Sequence, residues 1–110
     1  MGKEFFRIDD QATLDSLIAD STQKIVLVFK HSNACGISAR AYRELQKLDG
    51  QVNLLEIQAA PQLSRELENL TGIRHESPQV ILLRDGKAVW TASHFDVTAD
   101  SVSRALESNA

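Results

Sequence analysis

Five consecutive apolar residues, Ile25-Val26-Leu27-Val28-Phe29, constrain the fold of this chain more than any other segment. A run rich in β-branched types and without polar alternation reads as a strand covered on both faces, which places it inside a sheet that is at least partly parallel. Parallel neighbours need a crossover long enough to hold a helix. The chain supplies one. Ile37, Ala41, Leu45 and Leu48 recur at helical spacing, Asp49-Gly50 ends that helix, and Val52 to Ile57 follows as a second strand. These two strands are expected to be parallel, with a right-handed crossover between them.

The remaining segments complete a small sheet. Pro61 suits the first position of a further helix, with Leu63, Leu67 and Leu70 inward and Gly72 as its stop. Ser77-Pro78 stands just ahead of Val80-Ile81-Leu82-Leu83, and Asp85-Gly86 joins that strand to Ala88 through Ala92 as an antiparallel hairpin. Thr98 opens a last helix, with Asp100 in its first turn and Val102, Ala105 and Leu106 toward the core. At the other end, Phe5, Phe6 and Ile8 could add a short edge strand, and Asp9 or Asp10 can cap a helix bearing Leu14, Leu17 and Ile18 on one face. No linker, repeat or low-complexity segment interrupts residues 1–110, which are read as one domain. The expectation is an α/β fold: a mixed four-stranded sheet, with the short N-terminal edge strand in addition, flanked by helices on both faces.

Bulk properties remove several classes of function. With 43% hydrophobic and 25% charged residues the composition is that of a soluble globular protein. A formal net charge of −3 gives no reason to expect nucleic acid or an anionic membrane as partner. No apolar run approaches the length of a membrane span, and Met1-Gly2-Lys3-Glu4 lacks the charged-then-apolar layout of a signal peptide, so the cytoplasm is the default expectation.

The chain has one cysteine, Cys35, which cannot form an internal bridge. It follows the apolar strand and opens the first crossover helix, where unpaired amide N–H groups and the positive end of the helix dipole favour thiolate over thiol. A lone cysteine is commonly a small buried hydrophobe. Here Ser32, Asn33, Ala34 and Gly36 are small or turn-forming neighbours that suit a loop tip instead. A reactive sulfur is therefore expected.

A reactive cysteine after the first buried strand, together with Ser77-Pro78 before a hairpin, resembles the thioredoxin fold. Within that superfamily the chain resembles the monothiol bacilliredoxin (YtxJ-like) family. The likeness rests on three blocks: Phe29-Lys30-His31-Ser32 leading to Cys35 with Ile37-Ser38, then Glu76-Ser77-Pro78-Gln79-Val80, then Ser93-His94-Phe95-Asp96-Val97-Thr98. The resemblance implies a thioredoxin-like fold, a cis peptide at Pro78 beside Cys35, and exchange chemistry on mixed disulfides between proteins and the small thiol bacillithiol. One departure stands out. The family pattern has Cys-Pro-Ile-Ser where this chain has Gly36, which frees a backbone N–H and loosens the turn. Gly36 also makes the tetrapeptide similar to the Cys-Gly-Phe-Ser of monothiol glutaredoxins, which bridge an iron–sulfur cluster between two subunits. The paired glycines and aspartate that hold glutathione in that family have no counterpart in Thr91-Ala92-Ser93-His94-Phe95-Asp96. A cluster-binding or delivery module is the alternative reading.

The candidate catalytic residues are Cys35 and Ser38. A Cys35 thiolate can attack a capped protein's disulfide, and Ser38 stands where a dithiol thioredoxin has its resolving cysteine. A hydroxyl cannot break a disulfide. Release must then come from an external reductant thiol, so the expected partners are bacillithiol-modified proteins, the low-molecular-weight thiol and that reductant. Bacillithiol enters as co-substrate; no other cofactor and no metal are expected. Ser38 either donates a hydrogen bond to the Cys35 sulfur or only caps the early helix. The candidate substrate contacts are Lys30, His31, Gly36, Ile37, Ser77 and Pro78. Lys30 and His31, with Arg40 and Arg43 behind them, either bring positive charge to the sulfur or form a solvated surface. In a cis bond Pro78 would present the backbone of Ser77 as an edge for a bound peptide or thiol. His75 and His94 read as surface or hydrogen-bonded residues without a zinc site, and Trp90 as packing.

Overall fold

The structure is a computed structural model that describes residues 5–109. In chain order it runs β1 (Phe5–Arg7), α1 (Gln11–Asp20), β2 (Val26–His31), α2 (Gly36–Leu45), β3 (Val52–Glu56), α3 (Pro61–Thr71), β4 (Gln79–Arg84), β5 (Lys87–Ser93), a 3₁₀ turn (His94–Asp96) and α4 (Ala99–Ser108). The five strands form one sheet in the order β1-β3-β2-β4-β5. The N-terminal edge strand forms and pairs in parallel with β3.

β2 is central, parallel to β3 and antiparallel to β4, and Val26 through Lys30 along it are buried. Period-two alternation divides its side chains between two cores. Leu27 and Phe29 pack with Ala41 and Leu45 of α2 and Val102 and Ala105 of α4. Val26 and Val28 pack with Leu14 and Leu17 of α1 and Leu63 and Leu67 of α3. Helices therefore cover both faces, and β2 has no solvated side for most of its length.

The local signals act where the sequence places them. Asp10 caps α1 by accepting from the Thr13 N–H at 2.8 Å, and Thr98 forms a capping box with Ser101. Pro61 begins α3, and Gly72 ends it in the left-handed region at φ 70°. Asp85 and Gly86 both have positive φ, 54° and 72°, as the tight turn between β4 and β5 requires.

Two expectations need correction. α2 ends at Leu45 rather than at Asp49-Gly50, because the chain tightens: Lys47 and Leu48 donate to carbonyls three residues back, on Glu44 and Leu45. Leu48 stays buried without being helical. Leu70, expected inward, is 44% exposed; the buried residues of α3 are Leu63, Ser64 and Leu67, and the stripe has shifted by its last turn.

Candidate functional site

Strand register gathers the site at one end of the sheet. Lys30 pairs with Gln79, so the residues next outward, His31-Ser32 on one strand and Pro78-Ser77 on the other, leave the sheet at the same end. Glu56 of β3 pairs with His31, and Ser93 of β5 pairs with Gln79. The segments after β2, β3 and β5 and before β4 therefore converge where Cys35 begins α2.

Cys35 is the N-cap of α2, in extended geometry at φ −122° and ψ 125°. It is partly exposed and makes no capping hydrogen bond through its side chain. The first amide of the helical ladder is that of Ala39, which donates to the Cys35 carbonyl at 3.1 Å, so the N–H groups of Gly36, Ile37 and Ser38 precede the ladder. Gly36 is exposed and Ile37 half-buried. A Cβ on Gly36 would meet open space, so no close approach explains the glycine.

Ser38 takes neither of the two roles weighed for it. Its fully buried hydroxyl oxygen accepts from the Ser32 N–H at 3.0 Å and lies 2.9 Å from His31 Nδ1. With the His31 ring neutral and its proton on Nε2, the Ser38 hydroxyl donates to Nδ1 and accepts from Ser32. It ties the loop before the sulfur to the end of β2.

A second set of bonds holds the same loop from β3. Gln58 Nε2 donates to Ser32 Oγ at 2.7 Å, and that oxygen also accepts from the Ala34 N–H at 3.3 Å. Asn33 donates through its amide nitrogen to Glu56 Oε1 at 3.1 Å and through its backbone to Gln58 Oε1 at 3.3 Å. Glu56, Gln58 and the Ser32 hydroxyl were not among the residues singled out from sequence. The signal for them lies in the parallel β2–β3 pairing, which puts residues just past β3 beside the Cys35 loop.

His31 is half-buried, its ring between Phe29 at 5.4 Å and Tyr42 at 5.2 Å, centroid to centroid. Burial holds it below the ordinary histidine range; the Glu56 carboxylate and the Ser38 hydrogen bond oppose this, and Arg7 adds to it. His31 thus tends to neutrality rather than bringing a cation to the sulfur.

Lys30 requires the larger correction. It is fully buried and turned to the opposite face, where Nζ donates to the Ser64 carbonyl at 3.3 Å and lies 3.2 Å from His75 Nδ1. Burial pushes its ammonium below the usual lysine range, with Glu68 opposing. It is neither a solvated surface charge nor a contact for a ligand at Cys35, because alternation along β2 sends it away from α2. His75 is partnered by Lys30 and by Ser64 Oγ at 3.2 Å. Arg43 is exposed late in α2.

The Ser77–Pro78 peptide bond is cis, and the Pro78 carbonyl accepts from the His94 N–H at 2.9 Å. That bond brings the 3₁₀ turn beside Pro78. On its other side the turn meets α2, with the Arg40 guanidinium over the Phe95 ring at 5.7 Å. Trp90 packs against the α2–α4 core, and His94 is exposed. Among the described residues no group of three or more His, Cys, Asp or Glu is placed to hold a metal ion, and no helix is long and apolar enough to cross a membrane.

The fold is shared with many solved structures. A protein named as a candidate oxidoreductase with a thioredoxin fold is 31% identical, with 91% of each chain covered and a TM-score of 0.83. The thioredoxin of Malassezia sympodialis is 14% identical, with 98% of this chain and 93% of that one covered and a TM-score of 0.76. A poplar thioredoxin h gives 16%, 98%, 84% and 0.79 in the same terms. The last two establish the thioredoxin fold. Residues 6–102 match the sequence pattern described as monothiol bacilliredoxin BrxC. With a single partly exposed cysteine capping α2 in a thioredoxin fold, and that pattern spanning the chain from β1 into α4, this protein belongs to the monothiol bacilliredoxin BrxC family.

Proposed function

We propose that this chain removes bacillithiol from proteins that carry it as a mixed disulfide, with Cys35 as the attacking sulfur. The observation that carries the reading is the position of its one cysteine, partly exposed at the start of α2 and free of any capping bond, in a chain of the bacilliredoxin family. The Cys35 thiolate attacks the sulfur of the bacillithiol cap. A disulfide forms between Cys35 and bacillithiol, the original disulfide breaks, and the protein sulfur leaves as a thiolate that takes a proton from water. No electrons are gained or lost overall in this exchange.

The adduct on Cys35 has no second cysteine in the chain to open it. A low-molecular-weight thiol from outside attacks the bacillithiol sulfur, leaves with it as a disulfide, and returns Cys35 as thiolate. Ser38 and Gln58 position the loop that carries the sulfur and take no part in bond making. The chemistry suits a reducing compartment such as the cytoplasm, where an unpaired thiol stays available.

The test follows release of the cap from a bacillithiol-modified protein, with wild type and Cys35→Ser side by side. Release well above the spontaneous rate is expected with wild type, and none above it with the variant. Equal release by the two would overturn the proposal.

A further inference from the structure

Residues 73–77 carry the chain from α3 into β4 and bring Ser77 to the end of the sheet where Cys35 begins α2, yet among the described residues no backbone–backbone hydrogen bond holds them. Every hydrogen bond to this loop comes from a side chain. Gln79, almost fully buried, donates from Nε2 to the Arg74 carbonyl at 3.0 Å and accepts at Oε1 from the Glu76 N–H at 3.4 Å. On α3 the Thr71 hydroxyl accepts from the Ile73 N–H and the Glu68 carboxylate from the His75 N–H, both at 3.2 Å. The His75 ring makes the remaining attachment. With its proton on Nε2, Nδ1 accepts from Lys30 Nζ and from the Ser64 hydroxyl, each at 3.2 Å.

Lys30 is the unexpected member of this set. It is fully buried and forms no ion pair among the described residues, an arrangement that costs more than an apolar side chain in the same place. What the amine provides there is its two contacts. One is the Ser64 carbonyl within α3, and the other crosses to the loop, so β2 and α3 are both joined to His75, two residues before Ser77. At the end of the loop the Ser77 N–H and carbonyl make no hydrogen bond among the described residues. An unpaired strand-like edge of this kind is where an extended segment of a bound protein adds its own backbone. Such pairing depends on alignment, and a loop ordered only on binding loses affinity to conformational entropy.

We propose that His75 is a positioning residue for the exchange reaction: fastened by Lys30 and Ser64, it holds Ser77 in place for the backbone of the client segment that carries the mixed disulfide. This inference rests on the exchange reading above and adds how the client is held. His75 acts through the loop and exchanges no proton with the reacting sulfurs. The face of the sheet turned away from Cys35 thereby supports the edge on which the client lies.

The experiment measures transfer to Cys35 from two donors, a bacillithiol-modified protein and bacillithiol disulfide, which offers no peptide segment, by wild type, His75→Leu and His75→Asn. Wild type sets the reference ratio of the two rates, protein over small disulfide. His75→Leu should lower that ratio by about threefold to tenfold, the range of one hydrogen bond, through slower transfer from the protein alone. His75→Asn, whose carboxamide oxygen stands where Nδ1 stood and accepts from Lys30, should keep most of the wild-type ratio. A ratio not lowered in His75→Leu would overturn the proposal, as would equal slowing with both donors, the mark of a role in stability alone. A ratio lowered as far in His75→Asn would overturn it too, because an acceptor at Nδ1 would then not be what holds the loop. In each of these cases the exchange reading stands; if wild type never takes the cap from the protein, that reading falls and this inference with it.

Discussion

Lys30 and His31 are neighbours at the end of β2, yet they serve opposite faces of the sheet. His31 turns to α2, stacks between Phe29 and Tyr42, and meets the Ser38 hydroxyl that steadies the Cys35 loop. Lys30 turns to α3 and is buried against Ser64 and His75. Two polar residues beside a reactive cysteine look alike in sequence. A strand's alternation gives one to the site and the other to the opposite core. Proximity in sequence to a functional residue is therefore a poor guide where the chain is extended, and strand parity is a better one.

The comparison predicts unequal costs. Ser38→Ala leaves the buried Ser32 N–H and the half-buried His31 Nδ1 without their partner, and should cost about 1–3 kcal/mol in urea unfolding, with slower exchange. A loss below about 0.5 kcal/mol would mean that the His31 face does not hold the loop as described.

Acid should weaken both faces with the same sign. His31 and His75 are held below the ordinary histidine value of about 6.5, each first by burial. As pH falls through about 6.5 the unfolded chain takes up protons before the folded one, so stability drops until the folded rings titrate as well. Denaturant midpoints measured down through this window check the sign. Stability that is flat or rising on acidification would contradict it.

Lys30→Met separates the faces. The Ser64 hydroxyl still partners His75, and an apolar chain of similar length replaces a buried amine, so stability should hold or rise by about 1 kcal/mol. The Lys30 charge also helps hold His75 down and is not among the influences on His31. By NMR titration the variant should raise the His75 pKa and leave that of His31 in place. Movement of both by the same amount would erase the distinction between the faces. The smallest effect belongs to a site that touches neither core: Gly36→Pro, at the first helical position with open space around it, should stabilise by about 0.5–1 kcal/mol.

Much of the fold was legible because its signals are local. The unbroken run through Phe29, the Asp85-Gly86 turn and the Pro61 to Gly72 limits each act within a few residues and appear in the structure where sequence places them. Cys35 at a helix start is legible on the same ground. The loop's supports are less so: Gln58 and Glu56 meet it only through the parallel pairing of β2 with β3, and Ser38 meets it because α2 folds its first turn back onto the end of β2. The early end of α2 also escapes the periodicity, because Leu48 keeps its buried place after the helix has given way to tighter turns. The place of Lys30 does not follow from its charge; the parity of its strand turns it from the cysteine and buries it.

The central claim is that Cys35 takes the cap from its client. Intact-mass measurement of the reduced chain after brief mixing with a bacillithiol-modified protein reads this directly. The account predicts that Cys35 gains the mass of one bacillithiol as the client loses it. A client that sheds its cap while Cys35 never carries the adduct, or keeps the cap throughout, would contradict it.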